Sequence, residues 1–237
     1  MNDLQVCSNA IVPPDGSAAA VLVDKPAGWT SYDVIRKLRT VCPDTKMGHT
    51  GTLDPIATGL LIVLMNRATK SMNHFMHLDK HYEATIRLGQ TTASFDAETP
   101  VIRQADAGEV SLSAIDKACQ QLTGVIAQTP PMYSAVKVKG ERLYKKARRG
   151  ETVDRKPNQV TVHRFRAVRR TGDDLQVKVH CSKGTYIRAL AHDLGQLLEV
   201  GAHLVALRRT AIGSWTVADA WPLNALVEAL SERKHEA

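Results

Sequence analysis

Gly48-His49-Thr50-Gly51-Thr52-Leu53-Asp54-Pro55-Ile56-Ala57-Thr58-Gly59 runs directly into an unbroken apolar stretch, Leu60 to Met65. Such a stretch, bounded by turn residues, reads as a buried strand. The glycines let the backbone before it take φ > 0 or approach another group closely. Pro55 holds Asp54 in extended geometry and removes a donor. A chain built this way presents one carboxylate, Asp54, from a stiff loop, with His49 in the same loop. Gly, Thr, Asp and Pro are also ordinary turn residues. Taken alone, the stretch reads equally well as a turn or as a site, and His49 alone as a satisfied loop histidine.

The 237 residues suffice for one large domain or two small ones with a real core. No apolar run approaches the roughly 20 residues that span a bilayer. The N-terminus lacks the basic start and apolar segment of a signal peptide. These features predict a cytoplasmic protein with no membrane partner. Cys7, Cys42, Cys119 and Cys181 are scattered, without a C-x-x-C pair, and read as reduced core thiols. His74, His77 and His81 have near-helical spacing, but no carboxylate is placed to complete a ligand set, so no metal is expected.

Net charge is +7, which makes polyanions the first partners to consider. Lys137, Lys139, Arg142, Lys145, Lys146, Arg148, Arg149, Arg155 and Lys156 crowd into one segment, and Arg164, Arg166, Arg169 and Arg170 form a second group. A single run of this kind reads as a solvated helix face. Two groups flanking Tyr133 and Tyr144 favour an RNA surface.

Residues 1–20 read as a loose arm. Val21 to Val23 is a short strand, and Ser31 is positioned to cap a helix with Val34, Ile35, Leu38 and Val41 on its apolar face. A helix follows over Ala68 to Leu78, then a half-buried strand from Tyr82 to Leu88. Residues 90–110 read as loop, and Leu112 to Leu122 as helix with Ser113 as its cap. The basic segment holds a short strand and a short helix ending at Gly150. Val160 to Arg170 and Leu175 to Cys181 are strands joined by a turn at Thr171-Gly172-Asp173. Thr185 to Leu198 is an amphipathic helix, Leu204 to Leu207 a strand, and a last helix runs from about Pro222 to Leu230. Antiparallel-looking strands with interspersed helices predict an α+β fold. No dinucleotide or P-loop glycine motif is present, so no nucleotide cofactor is expected.

A second constellation, Ser182-Lys183-Gly184-Thr185-Tyr186-Ile187-Arg188, joins a strand to a helix, with Thr185 as a candidate cap. Arg188 then lies in the first helical turn, where a cation opposes the helix dipole. A buried carboxylate would offset that, and Asp54 is the candidate; a phosphate or a surface acid would serve as well. An Asp–Arg pair keeps the acid ionised, and an oriented carboxylate is a usable nucleophile. Tyr82, at the start of its strand, is either half core or a platform for a base.

Together these pieces resemble the TruB family of tRNA pseudouridine synthases. The matching motifs are Asp24-Lys25-Pro26, the Gly48–Gly59 stretch, Lys80-His81-Tyr82, Pro131-Met132-Tyr133-Ser134-Ala135-Val136-Lys137, Ser182–Arg188 and Leu207-Arg208-Arg209. They occur in the family's order over roughly residues 21–215. The resemblance implies the pseudouridine synthase fold, a mainly antiparallel mixed sheet with flanking helices and a central catalytic cleft, over residues 21–237. It implies an isomerase that converts the T-loop uridine of elongator tRNAs, position 55, to pseudouridine without a cofactor. Asp54 looks like the catalytic aspartate, acting by a covalent mechanism with attack on ribose C1′ or base C6, or by a glycal mechanism, and Arg188 looks like the arginine that pairs with it. Tyr82 looks like the tyrosine that stacks on the target base and is a candidate to help remove the C5 proton. Tyr186 looks like a second pocket residue, and His49 like the histidine that helps hold the flipped-out conformation. Lys25 and Pro26 look like supports of the pocket floor. Residues 130–156 look like the family's thumb insertion, whose Lys137, Lys139, Arg142, Lys145, Lys146, Arg148 and Arg149 would bind the T-stem-loop. No interface pattern stands out in the sequence, which favours a monomer.

The chain departs from the family in one respect. Many members continue into a C-terminal RNA-binding domain, often of the PUA type, whereas the residues after Trp215 leave room for one helix. Two rival readings stand beside this one. A glycosidase-like acid pair lacks its second acid within the motif. A non-catalytic RNA-binding protein or tRNA chaperone would use the same cleft without turnover.

Overall fold

The computed structural model describes residues 5–7, 18–134, 136–138 and 140–236, with side chains for 18–134, 136, 138 and 140–232. Most of the expected arm, Lys139 and the Lys137 side chain lie outside the described residues. The chain divides into two compact units. One unites Met1–Tyr82 with Leu207–Ala237, and the other is the intervening Glu83–Ala206.

The first unit is built on the strand Thr58–Met65. Ala19–Lys25 pairs antiparallel with it, from Ala19 opposite Met65 to Lys25 opposite Gly59. Arg208 and Arg209 pair in parallel with Thr58 and Gly59, while Met47–His49 pairs antiparallel with Val63 to Met65. Gln5–Cys7 and Trp221–Pro222 add parallel pairings to the Ala19–Lys25 strand. The unbroken apolar run now has its reason. Leu61, Val63 and Met65 face the helices Ser31–Val41 and Leu223–Glu236, packing on Val34, Ile35, Leu38, Leu226 and Leu230. Leu60, Ile62 and Leu64 face Phe75, Ala68 and Ile212 on the other side. A strand covered on both faces cannot alternate polar with apolar.

Thr30, and not Ser31, caps the first helix. Its hydroxyl accepts from the Asp33 N–H at 3.0 Å, and Asp33 accepts in return from the Thr30 N–H at 2.9 Å, a reciprocal capping box. The stretch expected as one helix over Ala68 to Leu78 is a 3-10 turn, Asn66–Ser71, followed by a short helix, Met72–His77.

In the second unit Asn158–Thr171 pairs antiparallel with Asp174–Cys181 on one edge and with Gly124–Gln128 on the other. Leu175, Val177, Val179 and Cys181 alternate into its core, where Leu112–Gln121 contributes Ile115, Ala118 and Cys119. That helix is capped by Ser111, which accepts from the Ala114 N–H, and not by Ser113. The region expected as loop, 90–110, holds a hairpin of Gln90–Thr92 and Val101–Gln104. The helix expected from Thr185 begins at Ile187, with Tyr186 as its cap residue and no side-chain cap. The α+β class and the mixed, mainly antiparallel pairing agree with the sequence reading. Among the described residues, no helix is long and apolar enough to cross a membrane.

Candidate active site

Asp54 is held by the residues on either side of it. Ser31 Oγ accepts from the Leu53 N–H at 2.8 Å and donates to the Leu53 carbonyl at 3.2 Å. The Leu53 side chain is buried. On the other flank the Gly28 N–H donates to the Pro55 carbonyl at 2.8 Å, and the Ala57 N–H closes a turn on the Asp54 carbonyl at 3.0 Å. The half-buried Asp54 therefore sits on backbone tied at both neighbours.

The loop ends at Gly59, whose φ is +101°. A Cβ there would lie 2.3 Å from the Arg209 carbonyl oxygen, so only glycine fits where the strands cross. Arg209 is 1% exposed; its Nε donates to the Leu60 carbonyl at 2.7 Å and its Nη2 to the Gly51 carbonyl at 3.2 Å. The guanidinium thus fastens both ends of the loop.

Lys25 is fully buried, and its ammonium donates to the carbonyls of Pro26 at 2.9 Å and Trp29 at 2.6 Å. Burial pushes its pKa down to about 8; the Asp54 carboxylate opposes this and Arg209 reinforces it. Asp54 is thus the strongest charge acting on Lys25. His49 ends the short strand Met47–His49 and is half-buried. Burial first, and then the Arg209 charge, lower its pKa below the ordinary histidine value, which keeps the ring neutral at pH 7. Its Nδ1 is buried and has no hydrogen-bond partner among the described residues. Pro26 is exposed, and Tyr82 is half-buried in the strand Lys80–Leu88.

Tyr186 and Arg188 belong to the other unit. The buried Gln128 grips the Tyr186 backbone, accepting from its N–H at 2.7 Å and donating to its carbonyl at 3.1 Å. That fixes the start of the helix Ile187–Leu197, since the side chain of Tyr186 makes no cap. Arg188 is 3% exposed. The buried carboxylate expected beside it has a counterpart within its own unit, Asp96, whose Oδ2 lies 3.2 Å from Arg188 Nη1. Arg188 also donates to the carbonyls of Ser94 at 3.3 Å and Tyr133 at 2.8 Å. Asp96 accepts from Ser94 Oγ at 2.6 Å and the Glu98 N–H at 2.9 Å through its other oxygen. Sequence reasoning passed over Asp96 because it lies in a polar stretch without periodicity. The available signal was the pattern Ser94-x-Asp96-x-Glu98-Thr99, which is Asx-turn chemistry.

The basic segment is less open than its cation count suggests. Arg149 binds Glu141 at 2.7 Å and Glu151 at 2.7 Å, and Lys146 lies 3.4 Å from Glu141. Arg148 reaches Glu98 at 3.3 Å and lies over the Tyr144 ring. Arg142 and Lys145 are exposed, and Arg155 donates to the Pro130 carbonyl. The segment is anchored by Leu143, fully buried, and by the Tyr144 N–H donating to the Ser134 carbonyl at 3.0 Å.

Comparison with known proteins adds sequence and fold relatives. Residues 38–187 match the family model of the TruB family pseudouridylate synthase N-terminal domain, and residues 188–237 match that of the tRNA pseudouridylate synthase B C-terminal domain. The tRNA pseudouridine synthase B of Thermobifida fusca is 48% identical over 214 residues, covering 87% of this chain and 73% of its own. The enzyme of that name from Corynebacterium glutamicum is 49% identical over 224 residues, covering 93% of this chain and 74% of its own. Among solved structures, a chain of a Cbf5–Nop10–Gar1 complex superposes with a TM-score of 0.71 at 27% identity, covering 96% of this chain and 63% of its own. A chain of an H/ACA RNP bound to a substrate RNA containing 2′-deoxyuridine superposes with a TM-score of 0.68 at 26% identity, covering 92% of this chain and 55% of its own. The present chain therefore spans little more than half the length of that RNP protein.

Proposed function

The chain belongs to the TruB family of pseudouridylate synthases, and from that premise we propose how it isomerises uridine to pseudouridine in tRNA. Asp54 bonds covalently to the target nucleoside, at ribose C1′ or base C6. The uracil parts from the ribose, turns, and rejoins through C5, and the bond to Asp54 then breaks to free the carboxylate. The C5 proton leaves and N1 gains a proton, so substrate and product are isomers and no cofactor is consumed. The target is the T-loop uridine of elongator tRNAs, and the enzyme acts as a cytoplasmic monomer on the T-stem-loop.

A base must leave its stack before this chemistry, at a cost of a few kcal/mol. Stacking on Tyr82 offsets about 1–3 kcal/mol of it. Tyr186 lines the base pocket, neutral His49 holds the flipped-out conformation, and Lys25 and Pro26 support the pocket floor. Arg188 serves the same chemistry as Asp54, and Asp96 keeps its guanidinium in position. Residues 130–156 act as a thumb that binds the T-stem-loop, with Arg142 and Lys145 as its open cations; Lys137, Lys139, Lys146, Arg148 and Arg149 are assigned to the same role.

One observation carries the assignment of Asp54: the backbone on both of its flanks is pinned, by Ser31 at Leu53 and by Gly28 at Pro55. Such fixation suits a nucleophile that must be aimed before reaction. The test is carbodiimide mapping of pseudouridine in tRNA treated with wild type or Asp54→Asn. Loss of the T-loop signal with tRNA affinity retained is expected. Unchanged modification would remove Asp54 from the chemistry, and modification confined to another position would overturn the T-loop assignment. A wild type that binds tRNA without modifying it would favour the RNA-chaperone reading.

A further inference from the structure

The second basic group, Arg164 to Arg170, splits into two kinds of arginine. Arg170 serves the fold. Its Nη2 donates to the Ala107 carbonyl at 2.6 Å, its Nε to the Gly172 carbonyl at 2.9 Å, and its Nη1 to the Val110 carbonyl. Arg164, Arg166 and Arg169 are exposed, and none has an acidic partner among the described residues.

Simple alternation along this strand would put Arg164 and Arg166 on the face of buried Val162. Two register shifts prevent that. The first lies between Val162 and Arg164 and the second between Ala167 and Arg169. Each inserts one residue, and a bulge re-aims the side chains beyond it. Phe165 and Ala167 then oppose Val179 and Val177, while Arg164, Arg166 and Arg169 oppose His180, Lys178 and Gln176. The outcome is one outward row of three guanidinia standing opposite His180 to Gln176, about 14 Å long at the usual rise per residue.

This row is unfavourable for the fold by itself. Arg166 stands directly opposite Lys178, and like charges so placed are destabilising. Glu83 offsets Lys178 at 2.7 Å; among the described residues no corresponding acid serves the three arginines. Local conflicts of this kind are expected at functional surfaces.

We propose that the outward face of the Asn158–Thr171 and Asp174–Cys181 ribbon is a phosphate-binding ladder for the backbone of an RNA stem, separate from the residues that receive the reacting base. This rests on the reading of the chain as an RNA-modifying enzyme. Guanidinia bind phosphate oxygens through paired N–H donors, and a row without base-reading geometry contributes affinity and salt dependence but no sequence preference.

The experiment compares wild type with the triple variant Arg164→Gln/Arg166→Gln/Arg169→Gln on a tRNA transcript. Affinity is measured over a range of salt concentrations, together with turnover at saturating tRNA and thermal melting. The proposal expects affinity to fall about tenfold or more at low salt, and the slope of log K against log salt to shrink by about 2–3. Saturated turnover should hold, and the melting temperature should hold or rise. A control variant, Arg36→Gln/Arg39→Gln/Lys117→Gln, removes equal charge elsewhere and should leave the slope nearly unchanged. Equal slope loss in both variants would reduce the effect to net charge and overturn the ladder, as would an unchanged slope in the ribbon variant. A wild type that fails to modify tRNA would sink the functional reading itself, whatever the slopes.

Discussion

The Ser31 hydroxyl engages both backbone groups of Leu53, accepting from the N–H at 2.8 Å and donating to the carbonyl at 3.2 Å. Ser31 is the first residue of a helix and is buried, so it carries the rigidity of that helix to the residue before Asp54. Ser31→Ala strands the buried Leu53 N–H, which costs about 1–3 kcal/mol. The expected outcome is lower stability in urea together with a loss in kcat larger than any change in KM. A raised KM with kcat unchanged would mean that the clamp serves binding and not aim.

Gly59→Ala should be among the most damaging single changes in the chain. The added methyl would meet the Arg209 backbone at 2.3 Å, at a φ of +101° that alanine avoids. The parallel pairing of Arg208 and Arg209 with Thr58 and Gly59 would have to shift. Soluble expression and the melting temperature are the measures, and a variant melting like wild type would show that the crossing tolerates a side chain.

Asp96 and Arg188 form a pair in which both side chains are almost wholly buried, at 1% and 4% exposure. Removing one partner leaves the other charge buried and unbalanced, at about 3–5 kcal/mol. Asp96→Asn and Arg188→Met should each destabilise strongly, and the double variant should lose less than the sum. Both singles should also depress turnover, read on the fraction that remains folded. Additive losses would mean that the two residues do not act as a pair.

Lys25 gives the chain a pH signature. Its folded pKa, about 8, lies below the ordinary 10.5. Between those values the unfolded chain binds more protons than the folded one, so stability rises with pH across that window. Lys25→Met should abolish the rise, as measured by urea midpoints at about pH 7.5 and about pH 10. Persistence of the full rise in the variant would assign it to another group.

The Leu60–Met65 run was legible as a buried strand because both of its faces are covered, which leaves no polar position to confuse the pattern. The hairpin around Gln90 and Val101 was not legible: its second strand is exposed throughout, so burial imposed no alternation on it. Asp96 was hidden by the same absence of pattern, although it carries a buried charge. Cation counting overstated Lys146 and Arg149, whose glutamate partners stand in the same segment and bind them once the helix Leu143–Arg148 forms. The outward row of Arg164, Arg166 and Arg169 depends on two bulges, and no residue type in that strand signals an inserted residue.

The strand Thr58–Met65 receives Met47–His49 at one end of its edge and Arg208–Arg209 at the other. Those last partners emerge from the ribosome about 150 residues after Thr58, once the whole of Glu83–Ala206 has been made. The intervening unit can fold as it is synthesised, while the stretch around Asp54 waits for its final fastening. Contacts so distant in sequence form slowly. A nascent chain halted anywhere before Arg209 would hold Asp54 by its near ties at Leu53 and Pro55 alone, with the Gly51 and Leu60 carbonyls still waiting for their guanidinium.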